Sequence, residues 1–154
     1  MGGRIEARLT ELGVTLPAAS PPAANYVPFV ALGDMLHVSG QISNGPGGLI
    51  TGRLGEGMTV EDGAAAARAC AISLLAQVRA ACGGDLDRLV RVVKLVGFVN
   101  STPGFTDHPK VVNGASDLLV EVLGDAGRHA RSAVGVAALP LGVAVELEGI
   151  FQIR

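Results

Sequence analysis

Tryptophan is absent, tyrosine occurs once and phenylalanine four times, so aromatic residues make up only 3% of the 154-residue chain while hydrophobic residues make up 49%. The interior must therefore be packed by alanine, valine, leucine and isoleucine, which lets elements approach closely. Cysteine occurs twice, at Cys70 and Cys82, within one helical pattern and with no Cys-x-x-Cys partner. That argues against a disulfide framework and for two buried, reduced thiols. Charge is scarce too: Asp, Glu, Lys and Arg amount to 17%, against ~25% in an average domain. The net charge of −2 and pI of about 5.9 give no basic excess or stripe, which argues against nucleic acid as a partner. The same shortage of charge leaves more apolar surface than a small monomer hides, and points to association of subunits. No uninterrupted apolar run reaches the ~18–20 residues of a membrane span. The start "MGGRIEARLT" places charges where a signal peptide needs an apolar stretch. A cytoplasmic protein that does not engage a membrane is expected.

What is present reads as one domain behind a short extension. Ile5, Leu9 and Leu12 recur at helical spacing before Gly13, and "TLPAASPPAAN" with Pro17, Pro21 and Pro22 is an extended linker. Residues 1–25 are thus an N-terminal helix and Pro-rich linker, and 26–154 the domain proper. "YVPFVAL" and "MLHVSGQI" flank Gly33-Asp34 as an antiparallel hairpin, with Pro28 at an edge or bulge. The glycine-rich run 45–57 lacks both the strand-to-helix context of a dinucleotide loop and a Gly-Lys-Ser/Thr ending, and reads as a loop around a short strand. Thr59, followed by Glu61 and Asp62, starts a helix that Gly83 ends; its row Cys70, Leu74, Val78, Cys82 suits packing on a sheet. "LVRVVKLVGFVN" is a central strand. A second long helix starts near Thr106 or Asp107, with Pro109 in its first turn, and stops at Gly124. Strands over about 131–138 and 143–153 complete an α+β or mixed α/β domain with two long helices on one face of a single sheet. The other face then needs cover, and identical subunits are an economical source.

In "HARSAVGVAALPLGVAVELEGIF", residues 129–151, only a few polar groups interrupt small or apolar residues. Alternation along 143–153 puts Val143, Val145, Leu147, Gly149, Phe151 and Ile153 on the helix-packed face, and Glu146 and Glu148 on the other. An unpaired carboxylate removed from water costs several kcal/mol, so each glutamate needs a cation, a proton or a solvated cleft. Arg131 is a candidate partner. It fits either a structural Arg–Glu pair at an interface or a guanidinium held ready for a ligand's carboxylate, with Glu148 holding a water or moving a proton; the pattern leaves both open. His37, His108 and His129 sit on separate elements with no His-x-x-x-His spacing, which argues against a metal. Ser39 lacks the Gly-x-Ser-x-Gly elbow of a hydrolase.

"MLHVSGQI", "VVKLVGFV", "VVNGASDLL" and above all "ARSAVGVAALPLGVAVELEGI" resemble the Rid proteins, the reactive intermediate deaminases also called the YjgF or L-PSP endoribonuclease family. The match runs in order from about Tyr26 onward. It implies a chorismate-mutase-like fold and a homotrimer with small-ligand clefts between subunits. It also implies hydrolysis of enamines or imines, formed from amino acids by pyridoxal-phosphate dehydratases, to 2-oxo acids and ammonia with no cofactor. Arg131 matches the family's arginine for the substrate carboxylate, and Glu148 its carboxylate for the attacking water. Tyr26, Ser39, Gly40 and Asn113 match positions that line the same cleft. Two departures mark a divergent subgroup: Asn25-Tyr26-Val27-Pro28-Phe29 stands where Gly-Pro-Tyr-Ser-Gln is common, and Ala133 where a cysteine often follows Arg-Ser. A trimer that binds small carboxylates without turning them over is the alternative, and endoribonuclease activity a less favoured one.

Overall fold

The computed structural model describes residues 3–22 and 24–154; residues 1, 2 and 23, which belong to the expected extension, lie outside the described residues. In chain order the elements are α1 (Arg4–Glu11), β1 (Phe29–Leu32), β2 (Met35–Ile42), four two-residue strands β3 (Asn44–Gly45), β4 (Gly48–Leu49), β5 (Arg53–Leu54) and β6 (Gly57–Met58), α2 (Val60–Ala81), β7 (Leu89–Asn100), α3 (His108–Leu123), β8 (Ala130–Val136) and β9 (Val145–Ile153). The main sheet has the order β1-β2-β9-β7-β8, and only the β7–β8 pair is parallel.

The long helices form where sequence signals start and stop them. Thr59 Oγ1 accepts from the Asp62 N–H and the Asp62 carboxylate accepts from the Thr59 N–H, a reciprocal cap on α2. Gly124, at φ 64°, ends α3. Ala67, Cys70, Leu74 and Val78 of α2 and Val111, Ala115, Leu118 and Val122 of α3 are buried against Leu36, Leu95, Leu147 and Phe151 of the sheet. Truncation of a fully buried leucine in such a core costs ~2–5 kcal/mol. Among the described residues α2 alone has the length and apolarity of a membrane span, and its apolar side lies on the sheet. The expected face assignment holds from Val145, where β9 begins: Val145, Leu147, Phe151 and Ile153 are buried, while Glu148 is exposed and Glu146 half-buried. It fails before the strand starts, where Ala144, expected on the open side, is buried in the core.

The N-terminal segment joins the same core. Ile5, Leu9, Val14 and Leu16 are buried in it. Asp87, just before β7, caps α1 from 82 residues away, its carboxylate accepting from the Arg4 and Ile5 N–H groups at 2.9 and 3.0 Å. Those bonds hold the Asp87 carboxyl below the usual carboxylate range. The proline-rich stretch is extended and tied to α2, whose Gln77 donates to the Ser20 carbonyl at 2.8 Å and Arg79 to those of Leu16 and Pro17.

Among the described residues no helix lies on the sheet's second face. Val96, Phe98 and Ile150 are half-buried on it, and Val30 and Val134 are exposed at its edges.

Candidate functional site

The register assigns each candidate residue to a face. Leu95 of β7, buried under the helices, lies opposite both Gly149 and Arg131; its neighbour Val96, on the open face, lies opposite Glu148 and Ser132. Paired residues share a face, so Arg131 points toward α3 and Glu148 away from it. The Arg–Glu pair that the pattern allowed is therefore not formed within the chain. A difference of one residue in parity across β7 separates the two groups, and no further loop movement could join them.

Arg131 stands at the start of the edge strand β8, beside the exposed stripe of α3. Its Nη1 donates to Asn113 Oδ1 at 2.8 Å and to Ser116 Oγ at 3.1 Å, and its Nη2 to the Pro109 carbonyl at 3.4 Å. Residues 109, 113 and 116 share a helix face by their i, i+4 and i+3 spacing. All three acceptors are neutral. Two of the five guanidinium donors, Nε–H and one Nη2–H, have no partner among the described residues, and no carboxylate forms an ion pair with Arg131 among them. A half-buried cation positioned by neutral groups, with two donors left, is suited to an anionic ligand with two acceptor oxygens.

The second group lies on and around the open face. β2 is irregular between Val38 and Gln41, so Ser39 and Gly40 bulge out of register with β9. Ser39 donates through Oγ to the Val27 carbonyl at 2.8 Å and through its N–H to that of Pro28 at 2.9 Å. These bonds fasten the strand to the segment bearing the exposed Tyr26. Gly40 lies against the Glu146 carboxylate, which a Cβ at that position would strike. Burial, and then the charge of Glu148 two residues on, push the Glu146 carboxyl above its usual range. Tyr26, Ser39, Gly40, Glu146 and Glu148 thus come from β2, its leading segment and β9, whereas Arg131 and Asn113 come from β8 and α3.

The sequence reading missed Ser116, His129 and the perturbed state of Glu146. Ser116 was legible as the residue three beyond Asn113. His129 was weighed only as a metal ligand, yet its Nε2 lies 2.9 Å from Ser116 Oγ and its Nδ1 2.6 Å from the Gly127 carbonyl. Burial, with Arg131 adding to it, holds the His129 pKa below the usual histidine value, against the raising effect of the Gly127 carbonyl. His37 is exposed on β2, and His108 bonds to Ser101 at 3.1 Å.

Residues 6–149 match the family model described as "YjgF/chorismate_mutase-like, putative endoribonuclease". The chain belongs to the YjgF family. Protein TCP17 of Trypanosoma cruzi is 56% identical over 99% of this chain and 96% of its own length. A crystal structure of a protein of unknown function from Agrobacterium tumefaciens, 49% identical, covers 98% of this chain and 93% of that one with a TM-score of 0.91. E. coli TdcF, crystallised with bound serine, is 28% identical over 88% of this chain and 93% of that one, with a TM-score of 0.60. This YjgF-family chain therefore has the chorismate-mutase-like fold, and it superposes more completely on the Agrobacterium protein than on TdcF.

Proposed function

We propose that this protein hydrolyses imines and enamines derived from amino acids to 2-oxo acids and ammonia, in clefts built between subunits of a homotrimer in the cytoplasm. The observation that carries this reading is Arg131, a cation with only neutral protein partners and two donors left over. The serine bound to TdcF shows a small carboxylate-bearing ligand on a relative. The opposite-face placement of Glu148 supports the two-subunit cleft: one copy contributes Arg131 and Asn113, and the open face of the next contributes Glu148, Ser39, Gly40 and Tyr26. That same packing covers Val96, Phe98 and Ile150.

In such a cleft the Arg131 fork binds the substrate carboxylate, which lies beside the imine carbon and takes no part in the reaction. Protonation of the imine nitrogen makes that carbon more electrophilic, and Glu148 orients a water and accepts its proton as the C–O bond forms. The proton then passes from Glu148 to the nitrogen of the tetrahedral carbinolamine, the C–N bond breaks as the carbinolamine hydroxyl gives its own proton back to Glu148 to form the C=O bond, and the 2-oxo acid and ammonia leave; release of that proton balances the one taken up by the imine nitrogen. One water is consumed and no electrons are exchanged.

A dehydratase-coupled assay that follows loss of the imine tests the reading. Acceleration by wild type, loss of binding in Arg131→Ala and loss of turnover with retained binding in Glu148→Gln are expected. The bound serine of TdcF also favours a second reading, a carboxylate-binding trimer without chemistry. Wild type that binds 2-oxobutanoate but does not accelerate imine loss would establish that alternative.

A further inference from the structure

The three hydrogen bonds that lead away from Arg131 form a directional chain. A carbonyl oxygen only accepts, so the 2.6 Å contact with Gly127 places the proton of His129 on Nδ1. In the neutral ring Nε2 is then an acceptor, and the Ser116 hydroxyl, 2.9 Å away, must donate to it. That donation turns a lone pair of Ser116 Oγ toward Arg131, whose Nη1–H donates to it at 3.1 Å. Every group along the path has one role, and each role follows from the fixed carbonyl at its far end.

The chain acts from the strand's own entry. His129 precedes Arg131 by two residues and Gly127 lies in the turn between α3 and β8, so the backbone that feeds the strand sets the rotor of a side chain on the helix. Without His129 the hydroxyl of Ser116 could donate elsewhere, and Arg131 would lose a preset acceptor. Protonation of His129 at Nε2 would reverse the Ser116 hydrogen bond; burial and the nearby guanidinium oppose it.

We infer that His129 and Ser116 are positioning residues which, through the ordered chain Gly127 carbonyl–His129–Ser116–Arg131, hold the guanidinium in the orientation that receives a ligand's carboxylate. This deepens the proposed function and rests on Arg131 being the carboxylate clamp. The clamp acts in the ground state and the transition state alike, so its misorientation raises KM and leaves kcat nearly unchanged.

The test combines calorimetry with 2-oxobutanoate, imine-loss kinetics and side-chain nitrogen NMR of the intact protein. Ser116→Ala and His129→Phe are each expected to raise the Kd and KM about tenfold at constant kcat, the size of effect that follows when a charged donor loses one preset hydrogen-bond partner. Because both act through one chain, the double variant is expected to be no worse than the weaker-binding single. His129→Gln, whose amide oxygen reaches the place of Nε2, recovers most of the affinity. In wild type at neutral pH the His129 ring is neutral with Nδ1 protonated, a readout that needs no variant to fold. A ring protonated on Nε2, or wild-type affinity in both single variants while Arg131→Ala loses binding, overturns the relay and leaves the clamp standing. Wild-type affinity in Arg131→Ala overturns the clamp itself and the relay with it.

Discussion

Gly114 offers a test in which two physical effects have opposite signs. In an open helix interior, replacing glycine by alanine stabilises by about 0.8–1 kcal/mol. Here α3 crosses α2 with Gly114 against Ala64, and a Cβ on residue 114 would lie within contact range of the carbonyl oxygen, carbonyl carbon and Cα of Ala64. Those are backbone atoms, so no rotamer change relieves the collision and the two helices must separate. Overpacking costs about 1–3 kcal/mol, and a backbone obstacle belongs at the upper end. After the helix gain is subtracted, Gly114→Ala should lose roughly 2 kcal/mol, which lowers Tm by about 4–8 °C in a domain of this size. Urea melts read by circular dichroism should show a lower midpoint with an unchanged slope. Because Pro109, Asn113 and Ser116 ride on α3, the displacement should also raise the Kd for 2-oxobutanoate. Gly104→Ala, where a Cβ would meet nothing within 4 Å, serves as the control and should change little. A Gly114→Ala variant as stable as wild type, or more so, would refute the close crossing.

Two further outcomes follow from groups outside the candidate site. Asp87→Ala should loosen α1 and lower Tm at neutral pH; its carboxyl is held below the usual 3.8, so that stabilisation is present above pH 3.8 and fades as pH falls through the depressed value. Equal melting of variant and wild type at pH 7 would show that the cap contributes nothing. Cys70 and Cys82 are buried, and burial raises both thiols; Glu146 raises Cys70 further and Asp85 raises Cys82, whereas Arg88 opposes the shift at Cys82. Neither should react with iodoacetamide in the native protein and both should on unfolding, as mass spectrometry would show.

The elements themselves were legible because their signals are local. Thr59 with Asp62, Gly124, and the period-two pattern of 143–153 each mark an end or a face without reference to the rest of the chain. The register across β7 was not legible. Whether Arg131 and Glu148 share a face depends on which residue of a third strand each one meets, and no spacing between 131 and 148 encodes that. The role of His129 was hidden for a related reason: its partners lie on a turn and a helix, and a histidine that acts through hydrogen bonds leaves no fixed interval in sequence. The N-terminal helix looked detached because a proline-rich stretch follows it, yet Ile5 and Leu9 are buried in the core and Asp87, far along the chain, caps the helix.

The strand order has a consequence for how the protein is made. β9 comes last of the nine strands and lies between β2 and β7. Until it emerges, the chain can form α2, the β1–β2 hairpin and α3, but β2 and β7 each present an unpaired inner edge, that of β7 rich in valine. Such edges invite pairing with other nascent chains, and the long separations make closure of the sheet slow. The final insertion of β9 completes the core with Leu147 and Phe151 and sets Glu146 and Glu148 on the open face in the same event. Acquisition of these two carboxylates is thus tied in time to completion of the fold, so a chain arrested before β9 has neither.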